Sequence, residues 1–148
     1  VPVALSFTIV LTLFAGSFGK INEKQRSSEG IAQAVYQQLD TPDTLARYKV
    51  ELQGLGMLTF RRVMVIGPAG EMSFGAERLT ETEIAKWFPT EEQFAERWKG
   101  NERIVVVMKR ERIDEFKAKF GGDLICSSGR YIALENRPSP AKDIRVRR

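Results

Sequence analysis

The chain has no histidine and one cysteine among its 148 residues. Without histidine, imidazole general-base catalysis and histidine metal ligation are both closed to it. One cysteine excludes an intrachain disulfide and fits either redox compartment. Internal repeats and low-complexity segments are also absent. The most informative absence is local. From Val3 to Phe18 (VALSFTIVLTLFAGSF) sixteen residues carry no charge at all.

A bilayer core needs about 20 apolar residues of helix, so this run is slightly short to span alone. No Met precedes it, and a charged stretch follows directly. We read residues 1–19 as the end of a transmembrane helix cut from a longer membrane protein, 20–138 as a soluble α/β domain and 139–148 as a basic tail. A signal peptide is an alternative, since Ala15-Gly16-Ser17 suits cleavage, but no basic n-region leads the run. A lipoprotein anchor needs a boundary cysteine, and the cysteine is Cys126. A core helix would show a polar stripe, and none appears between residues 3 and 18.

The chain carries 23 basic and 19 acidic residues, a net charge of +4. Much of the excess is Lys142, Arg145, Arg147 and Arg148 against Asp143. Such a tail beside a membrane anchor suits anionic headgroups, and equally a solvated terminus. Elsewhere the cations are mixed with carboxylates, without an aromatic-interleaved basic strand pair, so no nucleic-acid partner is expected.

Apolar periodicity predicts the elements. Ser27 or Ser28 opens a helix to about Leu39, with Ile31, Val35 and Leu39 on one face. Tyr48 to Leu52 alternates as a half-buried strand. Gly54 and Gly56 lead to Met57-Leu58-Thr59-Phe60, a short helical turn or a packed loop. Val63 to Ile66 is a strand, Gly67-Pro68-Ala69-Gly70 a turn, and Glu71 to Phe74 its hairpin partner. Thr80 with Glu83 and Thr90 with Gln93 form two capping boxes. The second opens a helix with Phe94, Ala95 and Trp98 inward, capped by Gly100. Trp87 and Trp98 are expected as core anchors. Ile104 to Met108 (IVVVM) reads as a central strand covered on both faces. A helix follows from Arg110 to Phe120, with Ile113, Phe116 and Phe120 inward, and strands at Leu124–Cys126 and Tyr131–Leu134. The expected fold is α/β, a mixed sheet of about five strands with helices on its faces, two hairpins and a right-handed βαβ crossover from Ile104 to Cys126.

Chemistry is sparse. Gly54-Leu55-Gly56 lacks the third glycine of a dinucleotide site, and Gly67–Gly70 lacks the Lys-Ser/Thr of a phosphate loop. Glu71, Glu77, Glu81 and Glu83 are best explained by capping and a solvated face. Asp114 and Glu115 lie on a solvent-facing helix surface. Cys126, mid-strand and without a histidine to activate it, is a small inert hydrophobe. Arg61-Arg62 stands apart, because an arginine pair before a buried strand suits a phosphate or carboxylate. Its plainer reading is a strand-end charge that reaches solvent or pairs with a carboxylate.

The order of segments carries more than any one motif. Tyr48-Lys49-Val50-Glu51-Leu52 is followed by Leu58-Thr59-Phe60-Arg61-Arg62, then Gly70-Glu71-Met72-Ser73-Phe74-Gly75. Next come Trp87 to Trp98 (WFPTEEQFAERW), IVVVM and Gly129 to Pro138 (GRYIALENRP). This order resembles the C-terminal extracytoplasmic domain of bacterial aminoarabinose-transferase-like enzymes, multispanning GT-C glycosyltransferases related to protein mannosyltransferases. The resemblance spans nearly the whole chain. Between Gly54 and Phe60 it lacks the Gln-x-Leu-Pro-Phe-Tyr wording of that family, which leaves the donor sugar open.

The resemblance implies a parent enzyme that moves a sugar from a polyprenyl-phosphate carrier to an acceptor, such as a lipid A phosphate. It implies catalytic acids outside this chain, no cofactor and no metal within it, and a position in the bacterial inner membrane facing the periplasm. The implied partners are the parent's own N-terminal membrane domain, membrane lipid and, through the parent, the lipid-linked sugar. Lys20, Lys24 and Arg26 alone would favour a cytoplasmic side; the resemblance overrides them. Arg61 and Arg62 are the expected contacts to a phosphate or to the membrane-domain interface. The alternative is a membrane-tethered or secreted α/β binding domain without activity; a small self-contained hydrolase ranks last, for want of a nucleophile–base pair.

Overall fold

The computed structural model describes residues 28–70 and 73–139. The apolar start, the connector at Lys20–Arg26 and most of the basic tail lie outside them. Helix α1 occupies 28–36. It is followed by β1 (Thr44–Tyr48), α2 (Gln53–Thr59), β2 (Val63–Ile66), α3 (Ser73–Ala76), α4 (Glu81–Trp87) and α5 (Glu91–Lys99). Then come β3 (Ile104–Lys109), a 3-10 turn (Arg110–Arg112), α6 (Ile113–Phe120), β4 (Asp123–Ser128) and β5 (Tyr131–Glu135).

The five strands form one mixed sheet in the order β2-β1-β3-β5-β4. Strand β1 runs parallel to both β2 and β3, while β5 runs antiparallel to β3 and β4. The expected mixed α/β sheet is therefore present, with IVVVM at its centre and every residue from Ile104 to Met108 buried. Each face of that strand meets its own core. Ile104, Val106 and Met108 pack with Phe94, Trp98 and Phe116, from α5 and α6. Val105 and Val107 pack with Ile31, Val35 and Leu55, from α1 and α2. A strand covered twice has no polar face to alternate with, which explains its unbroken apolar run.

Both capping boxes form. Thr80 and Thr90 each accept from the backbone N–H three residues on, and Glu83 and Gln93 return the bond. Phe94 and Trp98 are buried as expected, and Gly100 caps the helix.

Two expectations are corrected. The first strand is Thr44–Tyr48, not Tyr48–Leu52. Tyr48, Val50 and Leu52 are all buried, but they serve opposite faces of the sheet. Lys49 takes a left-handed φ of 46°, which ends the strand and turns the chain across the sheet. The hairpin after β2 is absent among the described residues. Gly67, at φ 104°, leads the chain away, Ser73 and Phe74 belong to α3, and β2 pairs in parallel with β1. The strand–helix–strand unit from β3 through α6 to β4 has its two strands parallel, as expected, though not as neighbours. The last strand, β5, lies between them. The open choice at Met57–Phe60 resolves as the end of α2, with Phe60 as its left-handed cap. Among the described residues, no helix is long and apolar enough to cross a membrane.

Candidate functional site

Three arginines converge at the parallel edge of the sheet. A pocket of about 510 Å³ lies beside β2, lined by Arg47, Arg61 and Arg62. Arg47 comes from β1, on the face covered by α1 and α2. It is 3% exposed, and its guanidinium donates to the Ala69 carbonyl at 3.4 Å. Burial lowers its pKa, against which the nearby Glu51 charge acts.

The two adjacent arginines have different tasks. Arg61 donates from Nη1 to the Thr41 carbonyl at 2.6 Å and from Nη2 to the Asp40 carbonyl at 2.9 Å. It ties the start of β2 to the loop ahead of β1. Arg62 is exposed, and its guanidinium carbon lies 4.4 Å from the centre of the Trp87 ring, a cation–π geometry. Trp87 is half-buried beneath it and packs against the core, so the expected anchor also forms a pocket wall. The arginine pair reaches this place because α2 and β2 approach closely. A Cβ at Gly56 would lie 2.9 Å from the Arg61 carbonyl oxygen, so only glycine fits there.

The rest of the lining is mainly apolar, including Leu52, Met57, Val63 and Leu79. Among the described residues no carboxylate lines the pocket. Glu83 is the nearby acid on α4. Its carboxyl is held below the usual range first by the Thr80 backbone N–H, then by the Thr80 hydroxyl, with a smaller pull from Arg62. Sequence reasoning found Arg61 and Arg62 but missed Arg47. The overlooked signal was a lone charge inside Leu45-Ala46-Arg47-Tyr48, hidden while the strand was drawn from Tyr48.

A second polar cluster sits where β1 ends. Lys49 Nζ meets Glu115 Oε1 at 2.7 Å and Glu91 Oε1 at 2.9 Å. Tyr48 donates its hydroxyl to Glu115 at 2.9 Å, Lys119 reaches Glu91 at 2.6 Å, and Arg112 reaches Glu115 at 2.9 Å. These pairs clamp α5 and α6 onto the end of β1. Lys49 is held charged well above the usual lysine range, by Glu115 first and Glu91 second. Glu115 is pulled down from 4.5 to about 2, chiefly by Lys49 and then by Tyr48. A depressed carboxylate stabilises the fold fully above its unfolded pKa, and that contribution disappears as pH falls through the folded one. The urea midpoints of wild type and Glu115→Gln should therefore differ at pH 6 and converge between pH 4.5 and about 2. A gap that stays constant over that window would remove Glu115 from the clamp. Among the described residues, no group of three or more acidic, Cys or His side chains gathers as a metal site requires.

The described residues thus define a mixed α/β domain with a cationic, largely apolar pocket at the parallel edge of its sheet. A sequence profile of the aminoarabinose transferase C-terminal domain matches residues 31–136, and the chain belongs to that family. Two crystal structures of ArnT from Cupriavidus metallidurans share the fold. The form bound to undecaprenyl phosphate is 20% identical, with a TM-score of 0.65 over 79% of this chain and 21% of that one. The apo form is 21% identical, with a TM-score of 0.64 over 78% of this chain and 22% of that one. The chain thus spans about a fifth of the solved proteins' length. No curated protein matches it.

Proposed function

We propose that this chain is the non-catalytic, C-terminal extracytoplasmic domain of an integral-membrane glycosyltransferase. The parent takes a sugar from a polyprenyl-phosphate carrier and passes it to a lipid A-like or other acceptor. The family match over residues 31–136 carries this reading. The undecaprenyl phosphate bound to one solved relative supports the choice of carrier. The catalytic groups belong to the membrane part of the parent, and this domain needs no cofactor. It faces the periplasm from the inner membrane, seated on its own membrane helices.

Within this reading, Arg61 and Arg62 serve contact with a phosphate or with the membrane-domain interface. Their geometry divides the work, with Arg61 bracing the loop and Arg62 presenting its charge. The test is alanine substitution in the full parent enzyme. Arg61→Ala with Arg62→Ala should lower sugar transfer by more than it lowers domain stability. Alone, Arg62→Ala should change stability by no more than about 0.5 kcal/mol, as surface substitutions do. Sugar transfer and thermal unfolding of the same variants give both numbers. Equal losses in the two would leave the pair only a structural role.

A further inference from the structure

We infer that the pocket bounded by Arg47, Arg62 and Trp87 seats the phosphate of an anionic membrane lipid, while Met57, Phe60 and Phe74 enter the leaflet surface around it. The inference rests on the reading above only in placing the domain beside a bilayer.

Three observations carry it. First, among the described residues, the charge that lines the pocket is of one sign. Three arginines line it, and Glu51 and Glu83 act on Arg47 and Arg62 through space without lining it. Guanidinium groups suit an anion, and phosphate matches their fork geometry.

Second, the remaining wall is apolar. A small hydrated anion uses none of Leu52, Met57, Leu79 and Trp87, whereas the carbons next to a lipid phosphate do. The volume of about 510 Å³ holds a headgroup with the start of its chains.

Third, large apolar side chains in the pocket lining, or next to lining residues in the chain, are exposed. Met57 is 75% exposed, Phe60 85% and Phe74 69%. Met57 lines the pocket, Phe60 precedes its two arginines, and Phe74 adjoins the lining residue Gly75. Phe60 also holds a left-handed φ of 53°, unfavourable for an aromatic residue. Arg78 lies 5.3 Å over the Phe74 ring, as Arg62 lies over Trp87, so two aromatic rings each carry a cation. That mixture suits the boundary between headgroups and acyl chains, where rings enter and guanidinium groups stay with the phosphates.

Trp87 makes the site observable. The full chain is mixed with vesicles of brominated phosphatidylglycerol or brominated phosphatidylcholine, and tryptophan quenching is followed. The other tryptophan, Trp98, is 5% exposed in the core, and Trp87→Phe gives its background. The expected result is quenching of Trp87 by the anionic lipid, weakened by salt. Arg62→Gln should raise the half-quenching lipid concentration about five-fold, the loss of one basic group at an anionic leaflet. Arg62→Lys should restore most of it. Phe60→Asn should also weaken quenching, and asparagine accepts the left-handed backbone, so this variant keeps its fold.

The apolar start of the chain can itself attach to vesicles, but such attachment neither selects Trp87 nor responds to Arg62. Binding without Trp87 quenching therefore overturns the proposal. So does equal quenching by the zwitterionic lipid. Saturation of the site by millimolar inorganic phosphate, with no quenching by vesicles, assigns the pocket to a free anion and overturns the lipid. The assay contains neither donor sugar nor parent enzyme, so its failure leaves the glycosyltransferase reading intact.

Discussion

Arg103→Ala should cost the domain about 3–5 kcal/mol, because it strands two buried carboxylates. Arg103 is 6% exposed and lies just before β3. Its Nη1 donates to the Asp43 carboxylate just before β1. Its Nη2 and Nε donate to Glu135 Oε2, at the end of β5, at 2.5 and 3.1 Å. The same guanidinium also reaches the Gln38 carbonyl at 3.1 Å and the Arg137 carbonyl at 3.2 Å. One side chain thus joins the end of the α1 segment to three strands. Domains are stable by only about 5–15 kcal/mol, so the loss would be a large share of the total. The penalty arises from abandoned charges more than from the worth of the pairs. Asp43→Val and Glu135→Leu added to Arg103→Met should therefore recover much of it. Urea unfolding of the single and triple variants measures both. A single-variant loss under about 1 kcal/mol would mean that water replaces the guanidinium.

Phe116→Ala should be as damaging, about 3–5 kcal/mol, through a different mechanism. Phe116 is fully buried and stands among four other rings. Its ring centre lies 4.8 Å from that of Phe120, 5.0 Å from Tyr48, 5.3 Å from Trp98 and 6.1 Å from Phe94. The Tyr48 and Trp98 pairs are edge-on and the other two are tilted, and ring pairs of these kinds contribute about 0.5–1.5 kcal/mol each beyond area burial. Truncation removes several pairs and leaves a cavity that rings fixed by α5, α6 and β1 cannot refill. Denaturant midpoints give the magnitude, and the near-ultraviolet circular dichroism of Trp98 reports whether the cluster loosens. A loss under about 1.5 kcal/mol would show that Phe120 and Trp98 can close over the gap.

Residues whose signal is local were legible in the sequence. Thr80, Thr90, Gly100 and the unbroken Ile104–Met108 run each act over a few neighbours, and each appears as expected. The misread segments were settled by distant partners. Tyr48, Val50 and Leu52 alternate as one strand face would, yet two cores on opposite sides of the sheet bury them. Nothing local marks the left-handed turn at Lys49, whose side chain meets carboxylates of α5 and α6. The expected hairpin after β2 failed likewise, since β2 finds a parallel partner from earlier in the chain. At the pocket, the neighbouring pair Arg61-Arg62 was visible. Arg47 was not, because its place beside them follows from the register of β1 on β2. Phe60 and Phe74 escaped notice because they have the composition of core residues, and only the fold shows them exposed.

Sheet order also fixes when the domain can close during synthesis. Strand β5 is the last described element made, yet it fills an interior position between β3 and β4. Until Tyr131 to Glu135 leave the ribosome, β3 has an open edge, β4 has no hydrogen-bonding neighbour, and Arg103 faces a missing carboxylate. At about 5–20 residues per second, the nascent domain waits for more than a second between the end of β3 and the arrival of β5. During that interval the most hydrophobic strand of the chain is available to any other strand edge nearby. A stop codon or frameshift just before Tyr131 would delete the middle of the sheet, not its margin.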